Sequence, residues 1–200
     1  MARRKDHTPE QLKTLIRSAA EKLIYKKGLQ GLTARALAQE IGYTPGTIYN
    51  TYQDMDALIT DINYETLGRL YQFCQERVYD LPMDFSKVRA LAYAYVDFAH
   101  KNQRAWESVF ATAHKGDKTP RLPKDYQQRI LSLFEHIEIT LKECLNFPSD
   151  RARITARLMW ACLHGITVLT LDGRLKLVGV EEPHEMIDDL LTKYLHHDVR

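Results

Sequence analysis

Apolar residues recur along this chain three and four positions apart, and the runs they form end at glycine or proline. That spacing is helical. Leu12, Leu15, Ile16, Ala19, Ala20 and Leu23 make the first stripe. Thr8 is placed to cap it, Pro9 suits the first helical position, Gln11 completes a capping box and Gly28 closes the helix. A second helix opens at Thr33, buries Ala34, Leu37, Ala38 and Ile41, is stapled by Leu32 and Leu37, and stops at Gly42. Thr44 and Pro45 open a very short third helix, for which Tyr43 and Ile48 form the staple. Asp54 starts a long fourth helix whose stripe of Leu58, Ile62, Leu67, Leu70, Tyr71, Cys74 and Val78 keeps period until Leu81-Pro82. Further helices are expected over 85–101, 103–113, 123–146, 150–172 and 183–196. The breaks between them fall at Gly116–Pro120, Phe147–Asp150 and Gly179–Pro183. Alternation of β-branched residues is scarce, so the fold class is all-α with about nine helices. A three-helix, helix-turn-helix domain over 1–53 precedes a larger helical domain over 54–200.

The third helix departs from the apolar rule in a way that points to a partner. From Thr44 to Tyr52 only Ile48 is aliphatic, and it anchors the segment to Leu37 and Ile41. The rest are hydroxyls, an amide and tyrosines. In a helix-turn-helix the second helix enters the major groove of DNA while the first crosses the backbone. Thr47 and Asn50 suit base edges, Asn being well matched to adenine, and Pro45 suits a thymine methyl. Gly46 lets the DNA approach closely. Tyr49 and Tyr52 suit phosphate or sugar, as do the Thr33 hydroxyl and Arg35, which lies off the buried stripe and also suits guanine. The unpaired N–H groups and positive dipole end of the short helix favour phosphate as well.

Charge agrees. The net charge is only +2, yet residues 1–52 carry nine Lys/Arg against four Asp/Glu, and residues 53–200 nineteen against twenty-two. A basic head on a mildly acidic body fits a module that touches phosphate followed by one that does not. The arm Arg3-Arg4-Lys5 offers further backbone or minor-groove contacts, although a solvated, disordered arm is the better reading of it. A composition of 44% hydrophobic and 27% charged residues is that of an ordinary globular chain. No apolar run is read as long enough to span a bilayer, and no apolar stretch follows Met1–His7, so no membrane partner and a cytoplasmic location are expected. Cys74, Cys144 and Cys162 have neither disulfide nor zinc spacing.

From about Thr8 to Leu58 the chain resembles the N-terminal domain of TetR-family transcriptional regulators. The residues that carry the resemblance are the Thr33-to-Gly42 helix with its Leu-Ala pair, Thr-Pro-Gly-Thr-Ile-Tyr at 44–49, the aromatic Tyr52, and Asp56-Ala57-Leu58. It implies that Thr33, Arg35, Thr44, Pro45, Gly46, Thr47, Tyr49, Asn50 and Tyr52 face DNA. The chain departs from the family where His-Phe is often found, having Thr51-Tyr52, and where a phosphate-gripping lysine usually opens the fourth helix, having Met55.

The body carries no nucleophile motif or phosphate loop; no catalytic residue, metal or cofactor is expected. It does carry aromatics within its helices. An effector pocket is an apolar cavity with a few polar groups, and Tyr64, Tyr71, Phe98, Trp106, Phe110, Phe134, Trp160 and His164 are the candidate lining, though core packing explains most aromatics of this kind. Trp160, His164 and Gly165 are similar to the Trp-His-Gly signature of one TetR subgroup. The family resemblance implies a homodimer built from the last two helices. The stripes Leu158, Cys162, Ile166, Leu169 and Met186, Ile187, Leu190, Leu191, Leu195 suit either that or packing within one chain. A two-fold dimer requires a palindromic operator. His184, His196, His197 and Asp198 read as surface groups rather than a metal site. The expected function is therefore a repressor, dimeric on a palindromic double-stranded operator and released by a small apolar or amphipathic effector. A constitutive DNA-binding dimer without an effector is the alternative; an enzyme on a helical body has no residues to support it.

Overall fold

The computed structural model describes residues 7–111 and 122–196. Arg3, Arg4, Lys5, the break at Gly116–Pro120, and His197 with Asp198 lie outside the described residues. The described residues form ten α-helices: α1 (Pro9–Lys27), α2 (Ala34–Ile41), α3 (Pro45–Thr51), α4 (Met55–Val78), α5 (Phe85–Lys101), α6 (Gln103–Ala111), α7 (Lys124–Leu145), α8 (Ser149–Leu171), α9 (Arg174–Leu177) and α10 (Pro183–His196). Nine match the expected segments. The tenth, α9, is a single turn in the break between α8 and α10, too short to show a hydrophobic period. A 3-10 turn at Leu29–Gly31 likewise sits where only a break was expected. The fourth helix ends at Val78 rather than at Leu81-Pro82, because Leu81 already turns back to bond the Val78 carbonyl at 3.3 Å.

The chain packs as two units. The first is the described part of Met1–Leu67 with that of Arg104–Tyr126, and the second is Gly68–Gln103 with the described part of Gln127–Arg200. This differs from a division at 53/54. The reason is apolar: Leu58, Ile59 and Ile62 of α4 complete the core of the head, beside Ile16, Ala20, Leu37 and Ile48. The helix α6, far away in sequence, belongs to the same unit. Arg104 donates to the Tyr25 carbonyl near the end of α1 at 2.9 Å, and Asn63 of α4 exchanges two hydrogen bonds with Ser108, at 3.0 and 2.9 Å. Asn63 and Ser108 are both buried, so the exchange satisfies polar groups that are costly to leave unpaired.

In the second unit Val88, Ala92 and Val96 of α5 pack with Ala152, Ala156, Met159 and Leu163 of α8 and Ile187, Leu191 and Leu195 of α10. The helix α8 is, by length and composition, apolar enough to cross a bilayer. This corrects the expectation that no run reaches that length. The apolar surface is divided between two faces: one buried in this core, the other carrying Ile154, Leu158 and Leu169 exposed.

Candidate nucleic-acid interface

Local capping sets the α2–turn–α3 geometry. Thr33 Oγ1 accepts from the Ala36 N–H at 3.1 Å and starts α2. Gly42 ends it in the left-handed region, φ 71° and ψ 32°, and lets the Tyr43 N–H return to the Ala38 carbonyl at 2.9 Å. The turn is braced from the N-terminal side, where Tyr43 Oη lies 2.7 Å from His7 Nδ1. Pro45 then opens α3 at its first position.

Thr44 holds the capping position of α3, but its side chain makes no capping bond; its hydroxyl sits 3.2 Å from that of Thr47. The expected cap is thus a pair of hydroxyls at the start of α3. Thr33, Arg35, Thr44, Pro45, Gly46, Tyr49 and Asn50 are exposed and Thr47 is half-buried. Beneath them Ile48 and Leu37 are fully buried. The result is a polar surface mounted on an apolar anchor. Gly46 is informative here. A Cβ at that position would meet only Thr44 Oγ1, at an ordinary 3.7 Å. Packing among the described residues therefore does not require glycine at 46, whereas the close approach of an external surface would.

Tyr52 does not belong to this surface. It is 6% exposed, packs in the head core, and donates its hydroxyl to Asp61 Oδ2 at 2.7 Å. Burial, then the bond to Asp61, pushes its ionisation well above the ordinary tyrosine range. The expected DNA contact at Tyr52 is corrected to a structural one. The signal was present in the sequence: Tyr52 follows Ile48 by four residues, on the same helix face. Met55, where the family often has lysine, opens α4 half-buried against the head core. Sequence reading missed the ionic cluster behind α3. Asp61 lies 3.8 Å from Lys13 and 3.9 Å from Arg17, and Arg17 also reaches Glu65 at 3.0 Å.

The candidate effector residues divide between the two units. Tyr64, Trp106 and Phe110 belong to the first unit, where the Trp106 and Phe110 rings lie 4.8 Å apart and Trp106 is buried. The other five belong to the second. There Phe134 meets Trp160 edge-on at 5.6 Å, Trp160 lies 5.5 Å from His164, and His164 Nδ1 is 3.0 Å from Tyr95 Oη. Burial lowers the His164 pKa from its ordinary 6.5, favouring the neutral ring. Phe98 is core, against Phe73, and Tyr71 packs edge-on against His136, which also meets Gln75. Desolvation likewise lowers the His136 pKa.

The two stripes proposed for a dimer are split. Ile166, Ile187, Leu191 and Leu195 are buried within the chain, while Leu158, Leu169 and Met186 are exposed. Gly165 meets nothing: a Cβ there would have no atom within 4 Å. It lines an open apolar groove with Cys162, Leu169, Met186 and Tyr194. His184 is held within the second unit, edge-on to Tyr93 and 3.6 Å from Asp97.

Residues 16–62 match the family model for bacterial regulatory proteins of the tetR family, and residues 88–194 match the tetracyclin repressor-like C-terminal domain. The chain is similar to YobS, an uncharacterised HTH-type transcriptional regulator of Bacillus subtilis, at 28% identity over 156 residues, 78% of this chain and 76% of that one. Among solved structures it resembles a protein of unknown function from Rhodococcus sp. RHA1, with a TM-score of 0.77, 22% identity and 98% of each chain covered. It also resembles a chain from Saccharomonospora viridis in complex with choline, with a TM-score of 0.67 and 14% identity, covering 94% of this chain and 97% of that one.

Proposed function

The chain belongs to the TetR family of bacterial regulatory proteins and is a DNA-binding transcriptional regulator rather than an enzyme, and from that premise we propose that it is a cytoplasmic repressor. It binds a palindromic operator as a homodimer and leaves it when a small apolar or amphipathic molecule occupies the body. The observation that carries the proposal is the α3 surface: Thr44, Pro45, Gly46, Thr47, Tyr49 and Asn50 grouped over a buried Ile48. Thr47 and Asn50 read base edges, Pro45 meets a thymine methyl, and Tyr49, Arg35 and Thr33 hold the backbone. Met55 supplies no cation, so the grip on phosphate falls to Arg35 and neutral donors.

Dimerisation is assigned to the outer face of α8 and α10. Ile154, Leu158, Leu169 and Met186 are exposed there, and the open space over Gly165 admits a second backbone. Effector binding is assigned to the Phe134–Trp160–His164–Tyr95 group, which offers aromatic surface with one polar pair. The helix α4 contributes residues to both units and carries the signal. The test is a footprint on a duplex enriched by the full-length protein from random sequence, repeated with choline and with a medium-chain fatty acid. Two symmetric protected patches that disappear with one of these additives support the proposal. A single asymmetric patch contradicts the dimer. A footprint that survives both additives and a wider set of amphiphiles favours a constitutive binder.

A further inference from the structure

We propose that Tyr52 and Asp61 are positioning residues for operator recognition: their hydrogen bond fixes the orientation of α3. This rests on α3 being the DNA-reading helix. The helix has seven residues and one fully buried side chain, Ile48. A helix so short is not stable alone in water, and one anchor leaves it free to pivot. A pivot of about 15° about Ile48 moves either end of such a helix by about 1 Å, enough to spoil a hydrogen bond to a base edge. The second anchor is Tyr52, at the C-terminal edge of α3. Its ring is buried in the head core and its hydroxyl donates to Asp61 Oδ2 at 2.7 Å.

Asp61 is itself held in place. Lys13 and Arg17 of α1 approach it at 3.8 and 3.9 Å, and Arg17 is tied to Glu65, one turn further along α4, at 3.0 Å. The Lys13 ammonium also lies over the Tyr52 ring, 5.6 Å from its centre. The phenol oxygen is therefore placed relative to α1 and α4 together. A phenylalanine would fill the same apolar space without that placement, so the hydroxyl adds direction rather than burial.

The experiment uses the full-length protein and a duplex it enriches from random sequence, with a scrambled duplex as reference, at fixed salt and well below the melting temperature. The quantity read is the ratio of the two affinities. Tyr52→Phe keeps the ring; it should lower the ratio about five- to tenfold while leaving the scrambled-duplex affinity unchanged. Asp61→Asn keeps an acceptor oxygen and should retain most of the ratio, whereas Asp61→Ala should match Tyr52→Phe. A merely structural bond would lower the melting temperature and leave the ratio alone. Asn50→Ala is the control for the underlying reading. If Asn50→Ala abolishes the preference and Tyr52→Phe leaves it intact, the positioning proposal is overturned and α3 stands as the reading helix. If Asn50→Ala also leaves it intact, or no duplex is enriched, the reading of α3 itself fails.

Discussion

Gly46, Asn50 and Tyr49 show how single residues separate what holds the head together from what it touches. None is buried, and Gly46 has room for a methyl group, so replacing any of them should cost the fold little. Gly46→Ala and Asn50→Ala are each expected to weaken operator binding by about 1–3 kcal/mol while shifting the urea midpoint negligibly. Ile48→Ala is the converse: a fully buried side chain whose loss should destabilise the head by about 2–4 kcal/mol. Urea unfolding beside operator titration separates the two classes. Two half-buried histidines give a pH prediction. His136 and His164 both have pKa values depressed below 6.5 by desolvation. Their neutral forms contribute stability that is fully present above 6.5 and is lost as pH falls through the depressed values. Stability should therefore decline on acidification below 6.5, and a His136→Asn, His164→Asn double variant should show a flatter profile. Cys74, whose thiol is pushed up to about 12 by burial, should resist alkylation in the native protein.

At the scale of helices, most of the architecture was legible because helices announce themselves at their ends. Thr8 and Gln11 do form the capping box read from their spacing, with Pro9 at the first helical position, and Asp54, where the fourth helix was expected to start, caps α4 by accepting from the Ala57 N–H at 2.7 Å. What stayed hidden depends on contacts distant in sequence. Nothing in the local pattern places α6 with the head, since that follows from Arg104 reaching Tyr25 and Ser108 reaching Asn63. Tyr52 shares its residue type with the polar surface but its helical position with Ile48, four residues earlier, and position prevails. The caps themselves give a test. Thr33→Ala removes a capping bond and should cost about 1 kcal/mol of stability. Thr44→Ala removes no capping bond and should leave stability nearly unchanged while weakening operator binding, which thermal melts and titrations distinguish.

At the scale of the molecule, one unit presents the polar surface proposed to read DNA, and the other presents an apolar face that stays exposed among the described residues. The helix α8 carries apolar residues on two faces, and the proposed second copy against Ile154, Leu158 and Leu169 would account for the exposed one. Leu158→Asp should give monomers by sedimentation and, with them, a loss of cooperative binding to a full operator. The candidate effector residues were the least legible part. The eight aromatic and histidine candidates divide between the units: Trp106 meets Phe110 in the first, and Phe134, Trp160 and His164 form a contiguous group in the second. The most direct test of the account is the affinity of a Tyr49→Ala, Asn50→Ala variant for the enriched duplex at fixed salt, compared with a scrambled one. The variant should be a dimeric, normally melting protein that binds both duplexes alike. Undiminished preference for the enriched duplex would contradict it.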